Sequence, residues 1–356
     1  MTVNYQKPVI GISLGDPNGI GPEVIIKSFL ESKMYKYCTP VLYSCNTVID
    51  FYCKMFSIQD LPIEIIRNPK QLKEGKLNLF CNWMGENTFI IEPGQSTSKG
   101  GWYALKSLQA AIYALKNKLI DALVTGPINK FNIQSEDFKF PGHSEYLMHE
   151  AGESDYLMLM MSDDLRVGLV TVHLPISEVP KQISHEKIAG KLRILNQTLI
   201  KDFGINRPTI AVLGLNPHAG ENSLLGKEEA EIIEPVIKAA NDMNIVVLGP
   251  YPADGFFGNQ MYNKFDAILA MYHDQGLIPF KTLAFGSGVN YTAGLSFIRT
   301  SPGHGTAYNI AGQNAADESS FREAVFSALK ILRNRAIYDE STKNPLQRKI
   351  NLEKEE

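Results

Sequence analysis

Short apolar runs alternate with stretches of helical period along most of the chain. "KPVIGISLG" predicts a first strand and "GPEVIIKSFLE" a helix after it, opened by Pro22 and Glu23. "TPVLYSC" predicts a second strand, "GWYALKSLQAAIYALKNKLI" a long amphipathic helix and "DALVTGP" the strand after that. "SEYLMHEAG" reads as a helix, and "DYLMLMMS" and "LRVGLVTVHLP" as an adjacent strand pair. "SHEKIAGKLRILNQTLIKDFG" reads as a helix stopped by Gly204. Strand "PTIAVLGLNP", helix "GKEEAEIIEPVIKAAND", strands "IVVLGPYP" and "FDAILAMYH" and helix "SSFREAVFSALKILRNRAIYD" complete the series. This is the pattern of βαβ units around a mostly parallel sheet. There are no repeats, and no proline- or serine-rich linker separates two halves. Two domains, if present, are therefore interleaved.

The bulk numbers narrow the class. A chain of 356 residues, 44% apolar and 21% charged, can bury a large core. The net charge of −3, without a basic block, argues against a nucleic-acid surface. No apolar run approaches the roughly 18 residues that span a bilayer. The N-terminal "MTVNYQKPVIGISLGD" reads as a strand rather than an export signal, so a cytoplasmic protein is expected. Cys38, Cys45, Cys53 and Cys81 form no C-x-x-C pair and are expected as reduced thiols. The segment from Glu340, "ESTKNPLQRKINLEKEE", is polar and solvated.

Chemistry gathers at strand ends. "RVGLVTV" runs into His173, "TIAVLGL" into Asn216-Pro217-His218, and "DAILAMY" into His273. In open α/β sheets ligands bind outside the carboxyl ends of the strands. Parallel neighbours would bring these three imidazoles to one edge, and three His with no fourth protein ligand suit a metal with an open position. Asn216, Glu221, Asp274 and Gln275 could orient those rings, and Asp254 ends a further strand.

"GDPNGIGPEV" joins a strand to a helix and invites comparison with a dinucleotide fingerprint. It fails in detail: Val24 stands where a third small residue belongs, and Glu23 would face the phosphates. A tight turn with a helix N-terminus is the better reading. "KFPGHSEYL" places His143 and Ser144 at a helix N-terminus, suited to a phosphate or carboxylate. Lys130 follows another strand end. Lys281, Asn290 and Arg299 surround the Gly286-Ser287-Gly288 loop, a common way to hold a phosphate monoester.

"GDPNGIGPE", "TGPINK", "PGHSEYL", "TVHLP", "LNPHAGE", "PADGFF", "MYHDQGLIPFK", "GVNYTAGLSFIRTS" and "HGTAYNIAG" stand in one order over residues 8–333. In these motifs the chain resembles the 4-hydroxythreonine-4-phosphate dehydrogenase family of vitamin B6 synthesis. The resemblance implies an α/β fold like that of isocitrate and isopropylmalate dehydrogenases, with two αβα domains and an active-site cleft between them. It implies residues 1–135 plus 280–340 as a discontinuous NAD-side domain, 136–279 as a metal-binding, dimer-side domain and 341–356 as a polar tail. It implies His173, His218 and His273 as ligands of zinc, magnesium or cobalt, and His143, Ser144, Lys281, Asn290 and Arg299 as substrate contacts. His304, Gly305 and Thr306 of "HGTAYNIAG" look like the adenine-side loop for NAD or NADP. Asp254 or Asp274 could accept the hydroxyl proton or orient a metal ligand, which the motifs do not separate. A homodimer with the active site near its interface is implied, as is a small phosphorylated hydroxy acid as substrate. Ser144 replaces a frequent Thr, and Pro302-Gly303 a frequent Val-Asp. The rival readings are a D-threonate or D-erythronate 4-phosphate dehydrogenase of the same family, a metallohydrolase using the three His, and a non-catalytic metal- or metabolite-binding regulator.

Overall fold

Twelve strands join into one sheet in the computed structural model, which describes residues 7–68, 71–83, 90–284 and 286–344. The strands are β1 (Val9–Ser13), β2 (Thr39–Tyr43), β3 (Ile63–Ile65), β4 (Leu77–Phe80), β5 (Ala122–Thr125) and β6 (Leu157–Met161). Then follow β7 (Arg166–Leu169), β8 (Thr209–Leu213), β9 (Val246–Tyr251), β10 (Ala267–Ala270), β11 (Val289–Ala293) and β12 (Arg299–Pro302). Across the sheet the order is β3-β4-β2-β1-β5-β12-β11-β6-β7-β10-β8-β9. The α/β class and the mostly parallel sheet expected from the pattern are both present.

The core explains why these runs are strands. In β5, Ala122 and Val124 face one layer and Leu123 the other, and all three are fully buried. A strand sandwiched between helices must be apolar on both faces, so its sequence does not alternate. Ile25 and Phe29 of the Gly21–Leu30 helix and Phe321 and Val325 of the Ser319–Thr342 helix cover one face. Leu105, Leu108 and Ile112 of the Ser98–Lys116 helix cover the other. Each such side chain contributes about 1.5–3 kcal/mol on burial.

The sheet reverses sense at its middle. β3, β4, β2, β1, β5 and β12 run parallel to one another. β11 is antiparallel to β12 and to β6, and β6 is antiparallel to β7. β7, β10, β8 and β9 then form a second parallel run. This order sets the three His-bearing strands, β7, β10 and β8, side by side and parallel, as expected. It also leaves β11 and β6 as the join between two runs of opposite sense, a switch in topology of the kind that opens a crevice.

Two features depart from expectation, and a helix lies where the sequence pattern assigns no element. Cys45 and Cys81 are paired as a disulfide, with Cα atoms 5.2 Å apart, and this corrects the expectation of four reduced thiols. The cause is local: Cys45 and Cys81 follow β2 and β4, neighbouring parallel strands aligned at Tyr43 and Phe80. Cys38 and Cys53 remain free thiols. The stretch after His273 is a helix, His273–Leu283, with Pro279 inside it. The last helix extends to Thr342, past the start of the expected tail, and residues 345–356 of that tail lie outside the described residues. Among the described residues no helix is long and apolar enough to cross a membrane.

Candidate active site

A cavity of about 230 Å³ opens where the two parallel runs meet. β5 and its following turn supply Thr125 and Lys130, β6 supplies Met158 and Met160, and β11 and β12 supply Asn290, Arg299 and Ser301. The helix His143–Ala151 brings His143, Ser144 and Glu145, and the helix His273–Leu283 brings His273 and Lys281. His173 enters from the loop after β7, and His304 and Gly305 from the loop after β12. All five residues expected to contact substrate therefore share one cavity.

Its electrostatics favour an anion. Arg299 is fully enclosed, with Nε and Nη2 donating to Oγ1 of Thr125 at 3.1 and 2.6 Å and Nη1 to Oγ1 of Thr292 at 3.1 Å. Burial lowers its guanidinium to about 9, so the charge persists at neutral pH. Burial, and then the charges of Arg299 and Lys130, press the His143 imidazole well below its usual range. His143 is thus neutral, and its buried Nε2 has no protein partner. Burial likewise lowers Lys130, with Glu145 opposing the shift. Glu145 is the one acidic residue in the cavity lining. Burial opposes its charge, but hydrogen bonds from His173, its own backbone and Tyr156 outweigh that and hold the carboxyl at about 2.

Two of the three expected metal ligands come together. The rings of His173 and His273 lie 5.8 Å apart between centroids. Nδ1 of His273 is 2.7 Å from Asp274, a carboxylate that fixes the ring and frees Nε2. His173 has Nε2 2.9 Å from Nζ of Lys130 and Nδ1 3.7 Å from Glu145. The pair, with His273 held by its carboxylate, supplies two of the ligands a divalent metal site needs. His218 does not line the cavity. It sits exposed in the 3₁₀ turn Pro217–Gly220, with φ of 53°. Among the described residues no group of three metal-competent side chains is assembled.

The other expected residues divide. Asp274 lies beside the cavity through His273, with most of its own side chain exposed. Asp254 is exposed in the first turn of the helix Ala253–Gly258 and does not line the cavity. Nδ1 of His304 meets the Gly305 carbonyl at 3.0 Å, and burial lowers its imidazole. Thr306 turns away from the cavity, its carbonyl accepting from the Ile20 N–H at 2.9 Å. Glu145, Thr125 and Thr292 were not singled out by the sequence. The available signal for Glu145 was its place two residues after His143 in the same helical turn.

Fold and cavity together define an α/β protein with a small cation-lined cavity at the switch in sheet topology. Comparison with known proteins names the family. Residues 36–328 match the family model described as pyridoxal phosphate biosynthetic protein PdxA, and the chain belongs to that family. A 4-hydroxythreonine-4-phosphate dehydrogenase of Bacteroides thetaiotaomicron is 46% identical over 95% of this chain and 93% of its own length. The crystal structure of the 4-hydroxythreonine-4-phosphate dehydrogenase of Klebsiella pneumoniae superposes with a TM-score of 0.81 at 32% identity, covering 92% of this chain and 99% of that one. A terephthalate 1,2-cis-dihydrodiol dehydrogenase of Burkholderia xenovorans shares the fold at a TM-score of 0.61 and 27% identity, over 91% and 98% of the two chains. The chain is thus an oxidoreductase of pyridoxal phosphate biosynthesis.

Proposed function

We propose that the chain oxidises the C3 hydroxyl of 4-phosphooxy-L-threonine with NAD or NADP. The resulting β-keto acid loses CO₂ to give 3-amino-2-oxopropyl phosphate, which feeds pyridoxal 5'-phosphate synthesis. One observation carries this reading: His143, Ser144, Lys281, Asn290 and Arg299 line a single cavity, and relatives that cover this chain are named for that activity.

Within it, Arg299, Lys281 and Lys130 form the cationic wall that receives the phosphate and the carboxylate. Neutral His143 and Ser144 offer hydrogen bonds without further charge. The cofactor side is the loop of His304, Gly305 and Thr306. His173 and His273 would hold zinc, magnesium or cobalt, and the exposed His218, which lies outside this cavity, would join them only from a second copy of the chain or after a rearrangement. Bound there, the metal supplies a Lewis acid to the reacting oxygen. Asp274 orients His273 rather than serving as the base. Asp254 is exposed and does not line the cavity, so this reading assigns the proton acceptor to neither aspartate.

The domain division 1–135 plus 280–340 against 136–279 is part of the same reading. It is supported by β11 and β12 lying between β5 and β6 in the sheet. A cytoplasmic homodimer completes it. Leu174 and Ile176 beside His173, and Ile278 and Leu283 on the His273–Leu283 helix, are the exposed apolar residues that such an interface would cover.

The test is NADH or NADPH formation with 4-phosphooxy-L-threonine, beside D-threonate and D-erythronate 4-phosphates, each with and without chelator. Chelator-sensitive turnover of the amino acid alone is expected. Turnover of a sugar-acid phosphate alone would reassign the substrate. No reduced cofactor from any of them would overturn the dehydrogenase reading. A His218→Ala variant should lose bound metal and turnover together.

A further inference from the structure

The glycine-rich 15–23 segment fails as a phosphate loop, and its glycines show why. A Cβ on Gly15 would lie 2.3 Å from the Pro127 carbonyl oxygen, and one on Gly21 2.6 Å from that of Leu14. A Cβ on Gly19 would lie 2.8 Å from the Thr306 carbonyl oxygen. In a phosphate loop the space left by glycine belongs to the ligand. Here protein backbone fills it.

The neighbour at Gly19 is the loop that follows β12, residues 303–318, and the 15–23 segment grips it at three points. The Ile20 N–H donates to the Thr306 carbonyl at 2.9 Å. The Tyr308 hydroxyl donates to Oδ2 of Asp16 at 2.6 Å. The Ala316 N–H donates to Oε1 of Glu23 at 2.7 Å. Lys27, paired with Glu23 at 2.7 Å, also donates to the Asn314 and Ala316 carbonyls.

Asp16 is the centre of this arrangement. It is fully buried. Its Oδ1 accepts from the Asn18 N–H at 2.9 Å, and Oδ2 also accepts from Nδ2 of Asn132 at 2.7 Å. Asn132 comes from the turn after β5, near the cavity residues Ile128 and Lys130. Burial, and then the Asp16 carboxylate, raise the Tyr308 phenol to about 12, so it stays a donor at neutral pH. The oxygens of Asp16 are committed to protein donors and would repel a phosphate in any case.

We propose that the 15–23 segment is the seat of the 303–318 loop, and that Asp16 is the positioning residue through which that loop holds the nicotinamide cofactor. This rests on the reading of His304, Gly305 and Thr306 as the cofactor side. A hydrogen bond to a buried carboxylate is stronger than a neutral one. Without it the loop spends less time in its docked form, and apparent cofactor affinity falls with the docked fraction.

The test uses the full chain, with NADH and NADPH each titrated by calorimetry and steady-state kinetics run alongside. Tyr308→Phe removes one hydroxyl and no packing volume. It should raise the Kd of the preferred cofactor about tenfold and leave the KM of the phosphorylated substrate within about twofold. Asp16→Asn should act in the same direction. If Asp16→Asn fails to fold, the tyrosine variant decides alone. His304→Ala tests the underlying reading. If it leaves cofactor affinity unchanged, the loop is not the cofactor's and the proposal falls with that reading. If His304→Ala weakens cofactor binding while Tyr308→Phe does not, the reading stands and the latch is wrong. If Tyr308→Phe raises cofactor Kd and substrate KM together, its role is general structure and the proposal is overturned.

Discussion

The ammonium of Lys130 lies 2.9 Å from Nε2 of His173. A protonated lysine has only donors, so that nitrogen is the acceptor and its lone pair faces a cation. A divalent metal on His173 would need the same lone pair. The ammonium must then move aside, and it moves into a cavity proposed to receive phosphate and carboxylate. Lys130→Met should therefore bind zinc about tenfold more tightly than the parent protein in the absence of substrate. Competition against a chromogenic chelator measures this. Equal affinities would show that lysine and metal do not compete.

Arg299 is held as a fork between Thr125 and Thr292. A lysine carries comparable charge but cannot span both hydroxyls. Arg299→Lys should raise the KM for the phosphorylated substrate about ten- to a hundredfold and leave cofactor Kd nearly unchanged. Thr292→Val, which removes one of the two hydroxyl partners, should have a smaller effect of the same kind. An unchanged KM in Arg299→Lys would remove Arg299 from substrate binding.

These residues differ in how visible they were beforehand. β1, β5, β8 and β10 are continuous apolar runs, and sheet order then aligned the His-bearing strands without further information. β11 and β12 were harder. "VNYTA" and "RTSP" carry small polar residues and a charge, yet Thr292 and Arg299 are buried because they bond each other beside the cavity, and Thr300 because its hydroxyl donates to the Ala324 carbonyl of the last helix. Arg299 in isolation reads as a solvated surface charge. The His273–Leu283 helix was masked by Gly276 and Pro279, which interrupt a helical pattern. Gly276 is there because a Cβ would come within 2.8 Å of Leu169. His218 shows the converse limit. Its place at a strand end was legible, but the left-handed turn that carries it outside the cavity was not.

Acid should destabilise the fold through His143. Its folded value is pressed well below the usual 6.5 by burial and by Arg299 and Lys130. Above that usual value the ring is neutral in both folded and unfolded chains. Below it only the unfolded chain takes up the proton, so stability falls with pH until the lowered folded value is reached. His304, lowered by burial, adds in the same sense. Glu145, held at about 2, contributes stability that is complete above its usual 4.5 and is lost only in stronger acid. The fall in Tm between about pH 7 and about pH 5 should therefore shrink in His143→Gln and shrink further with His304→Gln added. An undiminished fall in the double variant would place the acid sensitivity elsewhere.

Arg335 joins three elements far from the cavity chemistry. Its Nε meets Oδ1 of Asp202 at 2.6 Å and its Nη2 meets the Tyr291 hydroxyl at 3.0 Å. That hydroxyl in turn donates to Oδ2 of Asp202 at 2.6 Å. The cluster ties the end of the His185–Lys201 helix to the Ser319–Thr342 helix and to β11, the strand that carries Asn290. The Asp202 side chain is 3% exposed and that of Arg335 15%. Removing the cation strands a buried carboxylate, which costs about 3–5 kcal/mol, more than the intact pair contributes. Arg335→Met should lower the urea midpoint by that amount of stability. Adding Asp202→Asn should recover part of the loss, because the stranded charge is then gone. If the single variant unfolds at the parent midpoint, solvent reaches Asp202 and the cluster is not a clamp. If the double variant is no better than the single one, the loss lies in packing of the arginine stem and not in the orphaned charge.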